Sequence, residues 1–138
     1  MSITVPVEEF TTPDPITATE DMTIDQLRQL MEEYGIRHLP VLRGATVIGV
    51  ISERDVRLVS GLTATEKLQV RAGDIMATPP VTVNAKTPLD EVAHTMSEKK
   101  VGSVIVNDES GQFLGVFTAT DALNALIEII RQGGKPVS

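Results

Sequence analysis

The residues best suited to chemistry form one short run, Gly49-Val50-Ile51-Ser52-Glu53-Arg54-Asp55, which returns as Gly115-Val116-Phe117-Thr118-Ala119-Thr120-Asp121. In each, apolar residues lead to a hydroxyl side chain, with a carboxylate three positions later. A hydroxyl ahead of a helical stretch serves as N-cap, and an acid at the third helical position can bond back to the cap residue. A helix start also leaves N–H groups unpaired and carries partial positive charge, so it can receive a phosphate. The acid one turn in can accept hydrogen bonds from two vicinal ribose hydroxyls. Ser/Thr-x-x-Asp is equally a plain cap with no ligand. Recurrence does not decide between the two readings, because duplication copies caps as readily as sites. The runs also differ: Arg54 beside Asp55 could meet a phosphate, whereas Thr120 beside Asp121 is neutral.

These runs close two halves of an internal repeat. Displacing the chain against itself by about 65 residues brings Pro15 onto Pro80, Thr17 onto Thr82, Asp25 onto Asp90, Met31 onto Met96 and Val41 onto Val106. After one extra loop residue, Gly49, Val50 and Asp55 fall on Gly115, Val116 and Asp121. In the first half Thr23 and Gln26 predict a capping box, followed by an apolar stripe of Ile24, Leu27, Leu30, Met31 and Tyr34. In the second, Thr87 is the expected cap and Pro88 the first helical residue, with Leu89, Val92, Ala93 and Met96 as the stripe. Two β-branched runs follow each helix, His38–Leu42 and Thr46–Ser52, then Val101–Val106 and Phe113–Thr118. Arg43-Gly44-Ala45 and Asp108-Glu109-Ser110-Gly111 separate them as hairpin turns. Second helices are expected from Glu53 and Ala119. Met31 and Met96, at matching helical positions, read as core filler.

The expected fold class is α+β, with two β-α-β-β-α repeats related by a pseudo-twofold axis, because a half of this size buries little surface alone. The predicted domains are repeat 1 over 7–61, a linker over 62–71 and repeat 2 over 72–131, together one module over 1–138. Within the linker a short helix is expected at Ala64–Val70.

Composition narrows the function. The net charge is −7 and aromatic residues make up 3%, with no Lys/Arg cluster, so neither a phosphate track nor a stacking platform for nucleic acid is present. A small anion remains possible, since one or two local cations decide its binding. Cysteine is absent, which removes disulfides and thiolate chemistry. His38 and His94 suggest no local metal motif; His38 is expected to be partly buried and His94 to lie on a helix surface. No apolar run approaches the roughly 18 residues needed to cross a bilayer, and no signal peptide is evident, so the expectation is a cytoplasmic protein with no membrane partner. Nothing resembles a phosphate loop with Lys, a metal-spaced carboxylate set or an activated nucleophile, so no enzyme activity, catalytic residue or metal is expected.

Together with Gly35-Ile36-Arg37-His38-Leu39-Pro40-Val41 and Asp74-Ile75-Met76-Ala77-Thr78-Pro79-Pro80-Val81-Thr82-Val83, the strand-Gly-apolar-apolar-Ser/Thr-x-x-Asp pattern resembles the cystathionine-β-synthase (CBS) family in both halves. The likeness runs from about Val7 to Ile130. It implies a tandem pair, or Bateman module, with sheets packed together and helices outside. It also implies a non-catalytic, regulatory, energy-sensing role, with AMP, ADP, ATP or S-adenosylmethionine bound between the repeats. An adenine nucleotide would be a regulatory ligand and not a cofactor, and an unidentified regulated protein would receive the signal. The alternatives are a ligand-free dimerisation module with vestigial sites and, further off, a nucleotide-processing enzyme.

Carried over by the resemblance, one site would use Val50, Ser52, Arg54 and Asp55 with Thr78, Pro79, Val81, Val101, Gly102 and Ser103. The other would use Val116, Thr118, Thr120 and Asp121 with Thr11, Asp14, Ile16, Ile36, Arg37 and His38. Asp55 and Asp121 would hold ribose, Ser52 and Thr118 would face phosphate, and Val and Ile side chains would clamp adenine. Arg37 stands where relatives often carry a small residue, and could pair with phosphate or fill the pocket. The C-terminal helix is apolar over roughly 200° of its surface, at Ala119, Ala122, Leu123, Ala125, Leu126, Ile127, Ile129 and Ile130. The surplus predicts a homodimer built on helices, with burial under the linker as the alternative.

Overall fold

Thr23 starts the first long helix as its sequence requires. Its hydroxyl accepts from the Gln26 N–H at 3.1 Å, and the Gln26 side chain accepts from the Thr23 N–H at 2.9 Å. This helix, α1 (Ile24–Tyr34), ends at Gly35, whose left-handed φ of 61° suits a residue without Cβ. Ile24, Leu27 and Met31 are buried, but Tyr34 is 52% exposed and leaves the expected stripe. The turn at Gly35 brings Ile36 back against the core, and its N–H bonds to the Met31 carbonyl at 3.0 Å.

The computed structural model describes residues 4–132, so the ends of the expected 1–138 module lie outside the described residues. The chain divides into two compact units, one being Pro15–Pro80 and the other joining the segment up to Asp14 to the segment from Val81 onward. The Pro15–Pro80 unit holds β2 (Ala18–Thr19), α1, β3 (His38–Arg43), β4 (Thr46–Ser52), α2 (Glu53–Val59), α3 (Ala64–Lys67) and α4 (Ala72–Ile75). Its sheet has the order β2-β3-β4, parallel for the first pair and antiparallel for the second. Leu39, Val41 and Ile51 are fully buried and join Ile24, Leu27 and Val56 in one core. The linker helix stops at Lys67, short of the expected Val70. Val70 turns to pack on the core and Arg71 extends to bridge Thr23.

The other unit holds a 3-10 turn at Val7–Phe10, β1 (Thr12–Pro13), β5 (Thr82–Asn84), α5 (Leu89–Lys99), β6 (Ser103–Asn107), β7 (Phe113–Thr118) and α6 (Ala119–Arg131). Its sheet order is β1-β7-β6-β5. Val7, Val92, Val104, Val106 and Phe117 are fully buried in its core. Thr87 does not cap α5. Pro88 takes the N-cap position with no side-chain bond, and the Leu89 N–H is satisfied by the Val5 carbonyl at 2.7 Å. A backbone acceptor from a distant segment thus replaces the local cap that the sequence suggested. Strand β6 starts at Ser103, later than the expected Val101, and Val101 packs against the core just ahead of it. The turn after β6 is organised by Asp108, whose carboxylate accepts from the N–H groups of Ser110 at 2.9 Å and Gln112 at 3.0 Å.

The architecture is therefore mixed α+β with two small sheets, as expected. The segment leading each sequence half pairs with a strand of the opposite half: Thr12 and Pro13 lie antiparallel to Val116 and Gly115, and Ala77 bridges Val50.

Candidate functional site

Strand β4 delivers Ser52 to the start of α2 in an extended conformation, with φ −96° and ψ 159°. Ser52 Oγ accepts from the Asp55 N–H at 3.2 Å, and Asp55 Oδ2 accepts from the Ser52 N–H at 3.0 Å. On the neighbouring strand His38 lies opposite Ser52, and the Arg37 carbonyl accepts from the Glu53 N–H at 2.7 Å. The Arg37 guanidinium points to the Glu53 carboxylate at 3.6 Å in an exposed pair. On the other side Val50 and Ala77 exchange backbone hydrogen bonds of 3.1 and 2.9 Å. Thr78 is held by donating from its hydroxyl to the Ile48 carbonyl at 2.8 Å. Gly49 permits this close approach, because a Cβ there would stand 2.5 Å from the Met76 sulfur.

The second run repeats the geometry. Thr118 Oγ1 accepts from the Asp121 N–H at 3.2 Å, and Asp121 Oδ2 accepts from the Thr118 N–H at 2.9 Å. Thr118 Oγ1 also lies 3.0 Å from Asp121 Oδ2. Ser103 sits opposite Thr118, and the Gly102 carbonyl accepts from the Ala119 N–H at 2.9 Å. At Gly115 a Cβ would collide with the Thr12 carbonyl, so β1 can lie against β7 only over a glycine. Among the described residues two contacts have no counterpart in the first run: this hydroxyl–carboxylate bond within the cap, and the Thr12 hydroxyl, which reaches both Asp121 oxygens at 3.4 and 3.5 Å.

Both capping readings are thus correct in geometry, and in each the carboxylate keeps capacity beyond the cap. Burial pushes the His38 imidazole below the ordinary histidine value; nearby Asp55 opposes the shift and Arg37 adds to it. Of the first predicted set, Val50, Ser52, Arg54, Asp55, Thr78 and Pro79 fall in the Pro15–Pro80 unit, while Val81, Val101, Gly102 and Ser103 fall in the other. Of the second, Thr11, Asp14, Val116, Thr118, Thr120 and Asp121 share a unit, while Ile16, Ile36, Arg37 and His38 belong to Pro15–Pro80. Arg54 and Thr120 are exposed on the first helical turns, and Ser103 is buried. Thr11 bonds to the Val7 carbonyl at 2.8 Å, and Asp14 takes a left-handed φ of 45° at an exposed bend. Sequence reasoning passed over Thr12 and Ala77, although the repeat offset aligns them with each other. Among the described residues no cluster of three His, Asp or Glu side chains could hold a metal, and no helix is long and apolar enough to cross a membrane.

The CBS domain model matches residues 7–60 and 72–128. An inosine-5'-monophosphate dehydrogenase of Korarchaeum cryptofilum is 32% identical over 83% of this chain, and the chain spans only 23% of that protein. Among solved structures, CBSX2 in complex with AMP has a TM-score of 0.76 at 25% identity, covering 93% of this chain and 98% of that one. AcuB of Vibrio cholerae has a TM-score of 0.83 at 25% identity, covering 97% and 100%. The duplicated sequence pattern, the two helix starts and these likenesses agree, and the chain belongs to the CBS domain family, with two copies of the domain.

Proposed function

We propose that this chain is a non-catalytic regulatory module whose helix-start carboxylates bind an adenosine-containing ligand, AMP or ATP in the first instance. The observation that carries the reading is the paired capping carboxylate, Asp55 and Asp121, on a fold similar to CBSX2 in complex with AMP. A carboxylate fixed by its own cap presents remaining lone pairs at a defined angle, which suits two vicinal hydroxyls of ribose. Ser52 and Thr118 sit at the helix starts, where phosphate would face them, and Arg54 supplies a cation at one of the two. Scarce aromatic residues favour an aliphatic clamp on adenine.

The signal would come from differential affinity: a ligand that binds one conformation better raises its population and changes the surface shown to a partner. The dehydrogenase likeness covers a minor part of that enzyme, so its reaction is not carried over to this chain. A thermal-shift series with AMP, ADP, ATP and S-adenosylmethionine tests the reading. Ligand at 100 times its dissociation constant adds about 2.7 kcal/mol of stability. No shift with any of the four at millimolar concentration refutes it and leaves the ligand-free module.

A further inference from the structure

We infer that Thr12 makes the two carboxylates unequal, withholding Asp121 from a ligand and leaving Asp55 as the first nucleoside-binding position of the chain. This rests on the adenosine-binding reading above and concerns which of its two positions fills first. Three donors crowd the Asp121 carboxylate: the Thr118 N–H at 2.9 Å, the Thr118 hydroxyl at 3.0 Å and the Thr12 hydroxyl at 3.4 and 3.5 Å. The last of these spans both oxygens, so it stands where a pair of vicinal hydroxyls would dock. Among the described residues the Asp55 carboxylate accepts one hydrogen bond, from the backbone N–H of Ser52 at 3.0 Å.

One extra donor is the Thr118 hydroxyl of the cap itself; the other, which spans both oxygens, traces to a single aligned position. Thr12 pairs with Val116 on β7, and Ala77 bridges Val50 on β4 in the same way. Where one unit carries a hydroxyl the other carries a methyl group, and the methyl group cannot donate to Asp55. The two effects reinforce each other, because Arg54 stands beside the open carboxylate and neutral Thr120 beside the covered one. A ligand at Asp121 must displace the Thr12 hydroxyl before its own hydroxyls can bond, whereas among the described residues no side-chain donor holds the Asp55 carboxylate. An exposed hydroxyl–carboxylate bond at this length weakens the competing site by about five- to tenfold.

Isothermal titration with AMP on the full chain tests the inference, with ATP as second probe. The expected result is a tight event of one ligand per chain, lost in Asp55→Asn. Thr12→Val keeps the backbone pairing and removes the donor, so a second event should tighten by about five- to tenfold, and adding Asp121→Asn should remove it. Thr12→Ser restores the donor and should return the wild-type isotherm, which separates hydroxyl competition from disturbance of β1. Two equal events in the wild type, or a weak event unmoved by Thr12→Val, overturn the inference while the adenosine reading stands. No binding of either probe by any of these proteins overturns both.

Discussion

Asp55 and Asp121 do two jobs with one side chain, and substitution can separate them. Asparagine retains a carbonyl oxygen that can accept from the cap N–H, so Asp55→Asn should leave the melting temperature nearly unchanged. It loses the charge that strengthens bonds to ribose hydroxyls, which should cost about 2 kcal/mol of binding. Calorimetric affinity and unfolding midpoint measured on one preparation check this; equal loss of both would reduce Asp55 to a cap. His38 gives a second residue-scale test. Burial holds its folded pKa below the ordinary 6.5, with Asp55 opposing and Arg37 assisting. The unfolded chain therefore binds the proton more readily, so stability is full above about pH 6.5 and falls as pH drops through the folded value. Urea midpoints between pH 5 and 8 should slope downward toward acid, and His38→Gln should flatten that slope.

At the scale of elements, close approach of backbone to backbone decides what each glycine tolerates. A Cβ at Gly115 would strike the Thr12 carbonyl, which is fixed by its pairing with Val116, so either β1 or β7 must move. A Cβ at Gly49 would chiefly meet the Met76 thioether, an end of a side chain that can rotate away. Gly115→Ala should therefore destabilise by about 2 to 3 kcal/mol and Gly49→Ala by less, read as shifts of the urea midpoint at constant slope. The helices were legible because their signals are local: Thr23 with Gln26, Ser52 with Asp55 and Thr118 with Asp121 all form the boxes their spacing suggests. Thr87 misled because its cap is replaced by the Val5 carbonyl, a contact no local pattern reveals. Likewise nothing in Thr12-Pro13 names β7 as its partner, so the Thr12 donor facing Asp121 stayed hidden even though the carboxylate itself was found. Strands paired across more than a hundred residues are specified by fit and burial, which sequence spacing does not encode.

At the scale of the whole molecule, α6 carries an apolar face its own unit does not use. Ala125 is buried and Ala122 packs against the core, which accounts for one side of the helix. Leu123, Leu126, Ile127 and Ile130 are 60%, 53%, 46% and 65% exposed, and their spacing places them on one helical stripe. Four large aliphatic side chains in one row exceed the scattered exposure that a soluble surface normally shows. A second copy of the chain would supply a matching stripe through twofold symmetry, in which the same patch serves both sides. We propose a homodimer through this face. Light scattering after size exclusion at micromolar concentration should give about twice the 14.9 kDa chain mass. Ile127→Glu should reduce it to one chain mass, because burying an unpaired carboxylate in an apolar interface is strongly unfavourable. Adenosine affinity should survive that substitution, since Asp55 and its cap do not involve α6. A wild-type chain that runs at its single mass, or an Ile127→Glu variant that remains dimeric, places the stripe outside any self-association.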